Sequence, residues 1–528
     1  MYPSPHPSNP KDKFLQRVFE TIPGLLSWFT LTIAIVASFI WPIPAALFVI
    51  AFDLYWLIRA VYMSIYLVGA YMAKKKNEKI DWLSKLKNTA TLSQSHGLSP
   101  APQEFISLEK FPKNAPDWQD IYHLIIFPTA NEPVEVIKDA FNTVLNCDYP
   151  KDKMILILAT EERDDPERRD AKEEFVKKEF KDKFFKTLVI RHPDGIKGEA
   201  KAKGANATWA AKKAKETLDE LGINYENVII SAFDCDTCPH SQYFAYASYL
   251  YLMAPDRQRC SLQPLPMYHN NFWDAPMFVR VIAASSSFWH MIESLRPERL
   301  VTFASHSMSF KALVDVDYWP VNMISDDSVI FWKCYHYYNG DYRSIPMHMS
   351  VSLDAVVAKT YWRSIVNQYK QKRRWAWGVE NFPLLMRSFI ENKKIGFAKK
   401  MKHLFIMLEG NRSWATDSFI VVILGWLPLV AGGKIFNSTV LASRLPSMTR
   451  LLMTFAMIGL IVSAALGTLL LPPIPAKYRK WRYIYMILQW VVVPVVAPFL
   501  GALPALDAQT RLMLGKYMEF WVTEKVRK

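Results

Sequence analysis

Long apolar segments at both ends of this 528-residue chain limit what it can fold into more than any other feature. Residues 22–41 and 45–72 precede a charged centre, and residues 418–433, 451–476 and 483–506 follow it. A helix needs about 20 apolar residues to cross a bilayer. The run at 451–476 is long enough, whereas 418–433 is short and 483–506 is interrupted by prolines. The pattern predicts a soluble domain inserted between transmembrane helices.

Two ionisable residues, Asp53 and Arg59, lie within the second apolar segment. Charged groups at membrane depth are costly and usually face a protein interior or a polar path. Two interpretations stay open: these residues line a path through the membrane, or they pair with polar groups on neighbouring helices.

The net charge of +15 is concentrated beside the apolar segments, in basic clusters at 74–76, 393–402 and 477–482. Lys and Arg near span ends favour the cytoplasm, so we expect residues 73–410 and 477–482 on that side. Because the clusters follow the spans, we expect no nucleic-acid partner. The five scattered cysteines do not suggest a disulfide framework.

The side of the membrane that holds the C-terminus is ambiguous. The first twenty residues are polar and proline-rich, so we interpret 22–41 as a signal anchor rather than a cleaved signal peptide. Five full spans from a cytoplasmic N-terminus would put the C-terminus outside. The tail, however, carries Lys516, Lys525, Arg527 and Lys528, which prefer the inside. A re-entrant segment at 483–506 would reconcile the two.

The soluble centre alternates short apolar runs with amphipathic stretches. Strands are predicted at 121–127, 154–159, 187–191 and 228–233, and helices at 134–145, 165–181 and 200–221. This alternation predicts an α/β domain with a mainly parallel sheet and helices on both faces. Ligands of such sheets bind beyond the carboxyl ends of the strands. No Gly-x-Gly-x-x-Gly or Walker loop is present, which disfavours dinucleotide oxidoreduction and ATP hydrolysis.

Asp234-Cys235-Asp236 follows the fourth predicted strand. Two carboxylates one residue apart can share a hard divalent cation, Mg²⁺ or Mn²⁺, which would stabilise a departing diphosphate. The alternative is an ordinary turn or helix cap, since many turns contain Asp-x-Asp.

Asp326-Asp327 follows Ser325 and precedes an amphipathic run. One of the two carboxylates can act as a general base. Adjacent acids raise one another's pKa, so only one is expected to serve as base. The alternative is a helix N-cap formed by Ser325 and its acidic neighbours.

Gln371-Lys372-Arg373-Arg374-Trp375 lies in a basic helical stretch. Arg374 can hydrogen-bond a diphosphate in bidentate fashion, and Gln371 shares its helix face. The indole of Trp375 offers a flat surface for a sugar. The alternative is a basic-aromatic helix lying on the membrane. Earlier in the chain, Lys203-Gly204-Ala205-Asn206 could contact phosphate at a helix start, or form an ordinary exposed turn.

The ordered set of these motifs resembles the membrane-integrated, processive family 2 glycosyltransferases, which include cellulose, hyaluronan and chitin synthases. The order is Thr129-Ala130-Asn131-Glu132, Glu161, Lys203–Asn206, Asp234–Asp236, Asp326-Asp327 and Gln371–Trp375. The resemblance implies a GT-A-like nucleotide-diphospho-sugar transferase domain. It also implies cytoplasmic synthesis of a β-linked glycan with inversion, coupled to export through the enzyme's own channel.

The resemblance also implies a role for each matching residue. Asp327 would be the catalytic base, Asp236 the metal ligand and Trp375 the platform for the acceptor sugar. The donor would be bound by a larger set, namely Thr129, Glu132, Glu161, Lys203, Asp234, Gln371 and Arg374. A gating loop is suggested by Phe520, Val522, Thr523 and Lys525, although the family places that loop before a final span. Ser325-Asp326-Asp327 departs from the family's Thr-Glu-Asp.

These observations divide the chain into four parts: an N-terminal tail and transmembrane hairpin (1–75), a cytoplasmic glycosyltransferase domain (76–400, core about 120–385), an interface helix with C-terminal transmembrane helices (401–506), and a basic tail (507–528). We expect a plasma- or inner-membrane enzyme that uses Mg²⁺ or Mn²⁺ and binds a nucleotide-sugar donor, a glycan acceptor and the bilayer. The alternatives are a non-processive transferase acting on a lipid or protein, and a transporter or binding protein that has lost catalysis. The donor sugar and the linkage stay open.

Overall fold

A mixed eight-stranded β-sheet forms the centre of the protein in the computed structural model, which describes residues 2–88 and 116–519. The strands are β1 (Tyr122–Pro128), β2 (Met154–Glu161), β3 (Lys186–His192), β4 (Val228–Ala232), β5 (Cys238–Pro239), β6 (Cys260–Met267), β7 (Ser307–Ser309) and β8 (Arg343–Ser352). Their order across the sheet is β3-β2-β1-β4-β7-β6-β8-β5.

The half of the sheet formed by β3, β2, β1 and β4 is parallel throughout. In its register, His123 of β1 lies between Met154 of β2 and Ile229 of β4. All four strands coincide with predicted ones. β2 is buried along its whole length, as expected for a parallel strand covered on both faces.

The other half of the sheet departs from the mainly parallel prediction. β7 runs antiparallel to both β4 and β6, and β5 runs antiparallel to β8, while β6 and β8 are parallel. The sheet is therefore mixed.

The helices of the central region are α3 (Trp82–Lys87), α4 (Val134–Leu145), α5 (Pro166–Glu179), α6 (Lys203–Glu220), α7 (Tyr243–Met253), α8 (Met277–Ser294), α9 (Phe310–Asp315), α10 (Asp326–Tyr337), α11 (Tyr361–Ala376) and α12 (Asn381–Glu391). Helices cover both faces of the sheet, as predicted. Ala210 and Ala214 of α6 belong to one buried core, and Ile137 and Phe141 of α4 belong to the other.

The remaining helices are α1 (Pro10–Ile40), α2 (Pro42–Asn77), α13 (Phe397–Val422), α14 (Leu427–Ala431), α15 (Gly433–Asn437), α16 (Val440–Leu469), α17 (Arg482–Leu488), α18 (Val493–Val496) and α19 (Leu503–Met513). Within the described residues, four stretches are long and apolar enough to span a membrane: α1, α2, α16 and residues 482–513. α13 and the stretch that ends with α14 meet at 48° and could form a fifth, broken span.

α16 runs from the start of α2 to the central sheet. Ala442, near its first end, packs in one cluster with Ala46 of α2. Leu466, near its last end, packs in another cluster with Leu265 of β6. Its two ends therefore lie at opposite ends of the bundle of apolar helices.

Residues 482–513 follow a different path, because both ends contact the central domain. The Gln489 side chain accepts a hydrogen bond from Arg280 Nε of α8 at 2.8 Å. Asp507, in α19, accepts one from Arg373 of α11, also at 2.8 Å. This segment thus packs alongside the domain instead of leading away from it.

Candidate active site

Lys203 joins two of the predicted site carboxylates. It begins α6, and its Nζ lies 2.7 Å from Asp234 Oδ1 and 3.1 Å from Asp327 Oδ1. Asp234 follows β4, and Asp327 lies in the first turn of α10. Burial by itself lowers the pKa of Lys203, but Asp234 and Asp327 outweigh burial and raise it above its ordinary range. Three residues from distant parts of the sequence thus form one charged cluster.

Asp326 and Asp327 face different surroundings. Asp326 is 4% exposed, and burial together with the neighbouring Asp327 raises its pKa well above the ordinary value. The side chain of Asp327 is 26% exposed. The difference in exposure supports Asp327 as the carboxylate that an acceptor hydroxyl can reach. Ser325 takes the N-cap position of α10, but its hydroxyl makes no capping hydrogen bond.

Gly204 explains how α6 approaches α10 so closely. A Cβ at this position would lie 2.6 Å from the Pro320 carbonyl oxygen and 2.8 Å from Asp326 Cβ. Any other residue would push the start of α6, and Lys203 with it, away from the carboxylates.

Thr129, Glu132 and Glu161 lie on the same cavity as Lys203 and Asp234. The Thr129 amide donates to the Ala159 carbonyl at 2.8 Å, and Glu132 accepts from the Ala130 amide at 2.7 Å. Glu161 forms an ion pair with Arg163, and burial raises its pKa. The loops after β1 and β2 therefore lie next to each other, at the same edge of the sheet as Asp234, which follows β4.

Asp236 points away from this cavity. It is 1% exposed, and its Oδ2 accepts a hydrogen bond from the Asp354 amide at 2.8 Å. The chain turns sharply after β4, with the Thr237 amide donating to the Asp234 carbonyl at 2.9 Å. Asp234 lines the cavity, so the two carboxylates of the Asp-x-Asp motif do not face the same space.

The described residues contain no group of three or more His, Cys, Asp or Glu side chains placed to hold a metal by themselves. Mg²⁺ commonly takes one or two protein carboxylates and completes its shell with water and substrate phosphates. Asp234 fits such an incomplete set, because its carboxylate lines the cavity. The role of Asp236 as a metal ligand stays a prediction.

α11 presents part of the Gln371–Trp375 motif to the cavity. Arg374 and Trp375 line it, and the Trp375 ring lies 5.9 Å from the ring of Tyr268, centroid to centroid. Gln371 is buried behind them and accepts from Gln368 Nε2 at 3.2 Å. The possible gating residues Phe520, Val522, Thr523 and Lys525 lie outside the described residues.

Glu380 was not predicted from the sequence, yet it holds the segment that carries Asp327. Its carboxylate accepts from Ser325 Oγ at 2.6 Å and from Trp377 Nε1 at 2.8 Å. The backbone of Ile324 and Ser325 also lowers the pKa of Glu380, against the larger effect of burial. Burial raises the pKa of Glu380 to about 7. The residue thus ties the end of α11 to the start of α10.

Replacing Glu380 with glutamine should change how stability depends on pH. In the folded protein Glu380 keeps its proton up to about pH 7, whereas an unfolded Glu releases it near pH 4.3. Between these values the folded state binds more protons, so this group makes the wild type less stable as pH rises. Between pH 5 and pH 8 the apparent melting temperature of Glu380→Gln should therefore fall less than that of the wild type. If the melting temperatures of the wild type and of Glu380→Gln changed in parallel with pH, this expectation would be contradicted. Glu391→Gln, at an exposed position, is the control.

Ser305 lies beside Asp234 but belongs to none of the predicted site motifs. It has a left-handed backbone, with φ of 62°, which is uncommon for a residue other than glycine. Its hydroxyl accepts from the Asp234 amide at 3.4 Å and bonds Thr237 Oγ1 at 2.8 Å. The next residue, His306, brings its Nδ1 within 3.9 Å of Asp327 Oδ1. Backbone strain of this kind is often found at functional sites.

One cavity of about 1760 Å³ connects the charged cluster with the apolar helices. It extends from Asp234 and Asp327, past Trp375, to residues of α2, α13 and α16. Arg59 of α2 lines it and also pairs with Asp417 of α13 at 3.5 Å. Arg59 therefore lines the cavity and also pairs with a neighbouring helix, while its place on a path through the membrane stays a prediction. Asp53 is buried and is not among the lining residues.

No known protein-family model matches the sequence, and no curated protein matches it. Solved structures with similar folds include mannosyltransferase PcManGT from Pyrobaculum calidifontis with GDP-Man and Mn²⁺ (14% identity, TM-score 0.41, 77% of this chain and 99% of that chain). A second is S. aureus TarS 1–349 with UDP-GlcNAc, at 12% identity and a TM-score of 0.35, covering 76% of this chain and 94% of that chain. A third is GalNAc-T7 with UDP, GalNAc and Mn²⁺, at 9% identity and a TM-score of 0.33, covering 62% of this chain and 66% of that chain. At such identities and TM-scores these likenesses decide nothing about the activity of this chain.

Proposed function

We propose that this protein is a membrane-integrated glycosyltransferase that adds sugars from a nucleotide-sugar, a UDP-sugar by preference, to a growing β-glycan. The observation that carries the proposal is the continuous cavity. It begins at the carboxylates Asp234 and Asp327, passes the Trp375 ring and ends among the apolar helices. A polymer elongated at the charged cluster could leave by this route into the membrane.

The chemistry follows from the side chains around the cluster. Lys203 and Arg374 are cations that would bind the donor diphosphate. Asp327 would accept the proton of the acceptor hydroxyl as its oxygen attacks the anomeric carbon. The bond from that carbon to the diphosphate then breaks on the opposite face, which inverts the configuration. A bound Mg²⁺ or Mn²⁺ would add positive charge near the leaving group, with Asp234, whose carboxylate lines the cavity, as the protein ligand that the geometry favours.

In the proposed arrangement the chain crosses the membrane four times. α1, α2, the α13–α14 pair and α16 would cross the bilayer, and residues 482–513 would lie along the domain, because both their ends contact it. Four crossings bring the C-terminus back to the side of the catalytic domain. Basic residues flank the spans on that side, which favours the cytoplasm. The predicted gating residues Phe520, Val522, Thr523 and Lys525 would then be on the donor side.

Synthesis in vesicles tests this function. The purified protein would be supplied with Mg²⁺ or Mn²⁺ and labelled UDP-sugars, singly and in pairs, and the product sized beside an Asp327→Asn control. High-molecular-weight glycan from one donor or one pair is the expected result. Absence of any donor turnover across the common UDP- and GDP-sugars would contradict a glycosyltransferase.

A non-processive transferase that acts on a lipid acceptor is the second candidate. It is favoured by the membrane end of the cavity, where apolar side chains such as Met453, Met457 and Leu460 of α16 form part of the lining. Such a surface suits a hydrocarbon chain. In the same vesicle assay this enzyme would yield single-sugar products that extract with lipid instead of a ladder of glycans.

Replacing Trp375 with alanine should reduce elongation more than donor hydrolysis. Stacking of a sugar on the indole contributes about 1 kcal/mol, so elongation should fall by about five- to tenfold. Hydrolysis of the donor needs no acceptor sugar and should change little. The ratio of polymer formed to donor hydrolysed measures the effect. Trp362→Ala is the matched control, since Trp362 lies on the same helix at 72% exposure. Equal losses in both reactions would argue against acceptor stacking.

A further inference from the structure

Lys372 lies in the cavity between two tryptophan rings. Its Nζ is 5.0 Å from the centroid of the Trp375 ring and 5.4 Å from that of Trp414 on α13. All three residues line the cavity. Trp375 follows Lys372 by three positions on α11, and residues at this spacing share a helix face. A chain of sugars that begins on Trp375 and continues toward the membrane would therefore meet Lys372 next.

The ammonium group of Lys372 has no anionic partner among the described residues. It donates one hydrogen bond, to Ser286 Oγ at 3.1 Å, and forms no ion pair with any residue between 2 and 88 or between 116 and 519. Burial lowers the pKa of Lys372 to about 8. A partly buried cation without a carboxylate partner is costly. The neighbouring Arg373, by contrast, is paired with Asp507 at 2.8 Å.

Polar groups beside Lys372 complete a small recognition site. The buried Nδ1 of His290 has no hydrogen-bond partner among the described residues, and His290 lines the same cavity. Ser286 lies on the same helix, α8, one turn earlier. The site thus offers aromatic faces, a hydroxyl, an imidazole nitrogen and a positive charge that two ring faces contact but no carboxylate of the described residues pairs with.

We propose that Lys372, Ser286 and His290 form a second acceptor subsite that binds an anionic group one unit beyond the sugar stacked on Trp375. This inference rests on the proposed function. A neutral hydroxyl could hydrogen-bond the amine but would bring no opposite charge, whereas an anion would neutralise it. Two sources supply such an anion at this distance: the carboxylate of an acidic sugar within the glycan, and the phosphate that joins a sugar to a lipid.

Binding of matched anionic and neutral probes to the full-length protein in nanodiscs tests the subsite. One pair is a tetrasaccharide containing glucuronic acid and a neutral glucose tetrasaccharide. The other pair is a farnesyl-phosphate-linked glucose and a neutral alkyl glucoside. The wild type should bind one anionic probe about tenfold more tightly than its neutral counterpart, as expected for a charged hydrogen bond. The pair that shows the preference identifies the source of the anion.

Substitutions then assign the preference to Lys372. Lys372→Met keeps the length of the side chain and should reduce the preference to about twofold or less, whereas Lys372→Arg should retain it. Lys370→Met is the control, because Lys370 is exposed and is not among the residues that line the cavity. A wild type without preference for either anionic probe would overturn the proposal, as would a preference that persists in Lys372→Met.

Donor turnover in the same preparations separates this inference from the proposed function. A lost preference in Lys372→Met together with retained UDP-sugar hydrolysis would confirm the subsite within a working transferase. If no preparation turns over a donor, the proposed function fails, while the probe comparison still decides whether Lys372 binds anions.

Discussion

Replacing Asp327 with asparagine should abolish sugar transfer while nucleotide binding stays close to that of the wild type. The amide would keep the shape of the side chain but could not accept the proton of the acceptor hydroxyl. Loss of a general base typically lowers a rate by about 10²–10⁴-fold. Lys203 would still be held by Asp234 at 2.7 Å, so the diphosphate site should remain formed. Transfer of labelled sugar and calorimetric titration with UDP measure the two effects, and normal transfer would remove Asp327 as the base.

Asp326→Asn provides a matched comparison. Asp326 is buried beside Asp327, and its raised pKa keeps it protonated further toward neutral pH than an ordinary Asp. Asparagine resembles a protonated aspartate in shape and charge, so this variant should retain most of the activity. Equal loss in both variants would mean that the first turn of α10 serves as a unit and that Asp327 has no separate role as the base.

The first half of the sheet was predictable because apolar runs and amphipathic stretches alternate there with clear boundaries. The second half was not. β6 (Cys260–Met267) contains two prolines, and β8 (Arg343–Ser352) contains one, so neither reads as an ordinary strand. β7 consists of Ser307, Met308 and Ser309 and has no apolar pattern of its own. Pairing with neighbouring strands, not local propensity, defines these elements.

Residues at the ends of parallel strands were predictable for a similar reason. Glu161 is the last residue of β2, while Thr129 and Asp234 follow the ends of β1 and β4. The carboxyl ends of parallel strands lie at one edge of the sheet. The position of Asp236 was not predictable. Spacing alone suggested that it would face the same way as Asp234, but the turn that begins at Asp234 directs it to the Asp354 amide.

Residues whose role depends on a distant contact carried no signal in the sequence. Glu380 is near Asp327 only because its carboxylate bonds Ser325, 55 positions earlier. Lys372 falls within a motif that was recognised, yet its position between the Trp375 and Trp414 rings depends on how α13 packs against α11. Such contacts emerge only when the whole chain is folded.

Replacing Lys203 with methionine should have the second large effect, because its ammonium group connects the donor site with the base. The variant would leave Asp234 and Asp327 close together with no cation between them, and Asp326 buried beside them. The three side chains are 14% to 31% exposed, so removing the cation should cost less than the roughly 3–5 kcal/mol typical of a fully buried charge pair. The remaining carboxylates would also repel the diphosphate that Lys203 normally attracts. We therefore expect UDP affinity to fall by about 100-fold or more, equivalent to roughly 3 kcal/mol, and transfer to be lost.

The comparison of Lys203→Met with Lys201→Met distinguishes a binding role from a general effect of charge. Lys201 stands two residues earlier, is 72% exposed along its side chain and reaches Asp194 only at 3.8 Å. Its removal lowers the net charge equally but should leave UDP affinity within about twofold, since exposed pairs contribute little. Melting temperatures of both variants report whether the fold survives. A folded Lys203→Met protein with wild-type affinity for UDP would show that Lys203 only neutralises the carboxylates. In that case Arg374 would have to bind the diphosphate without it.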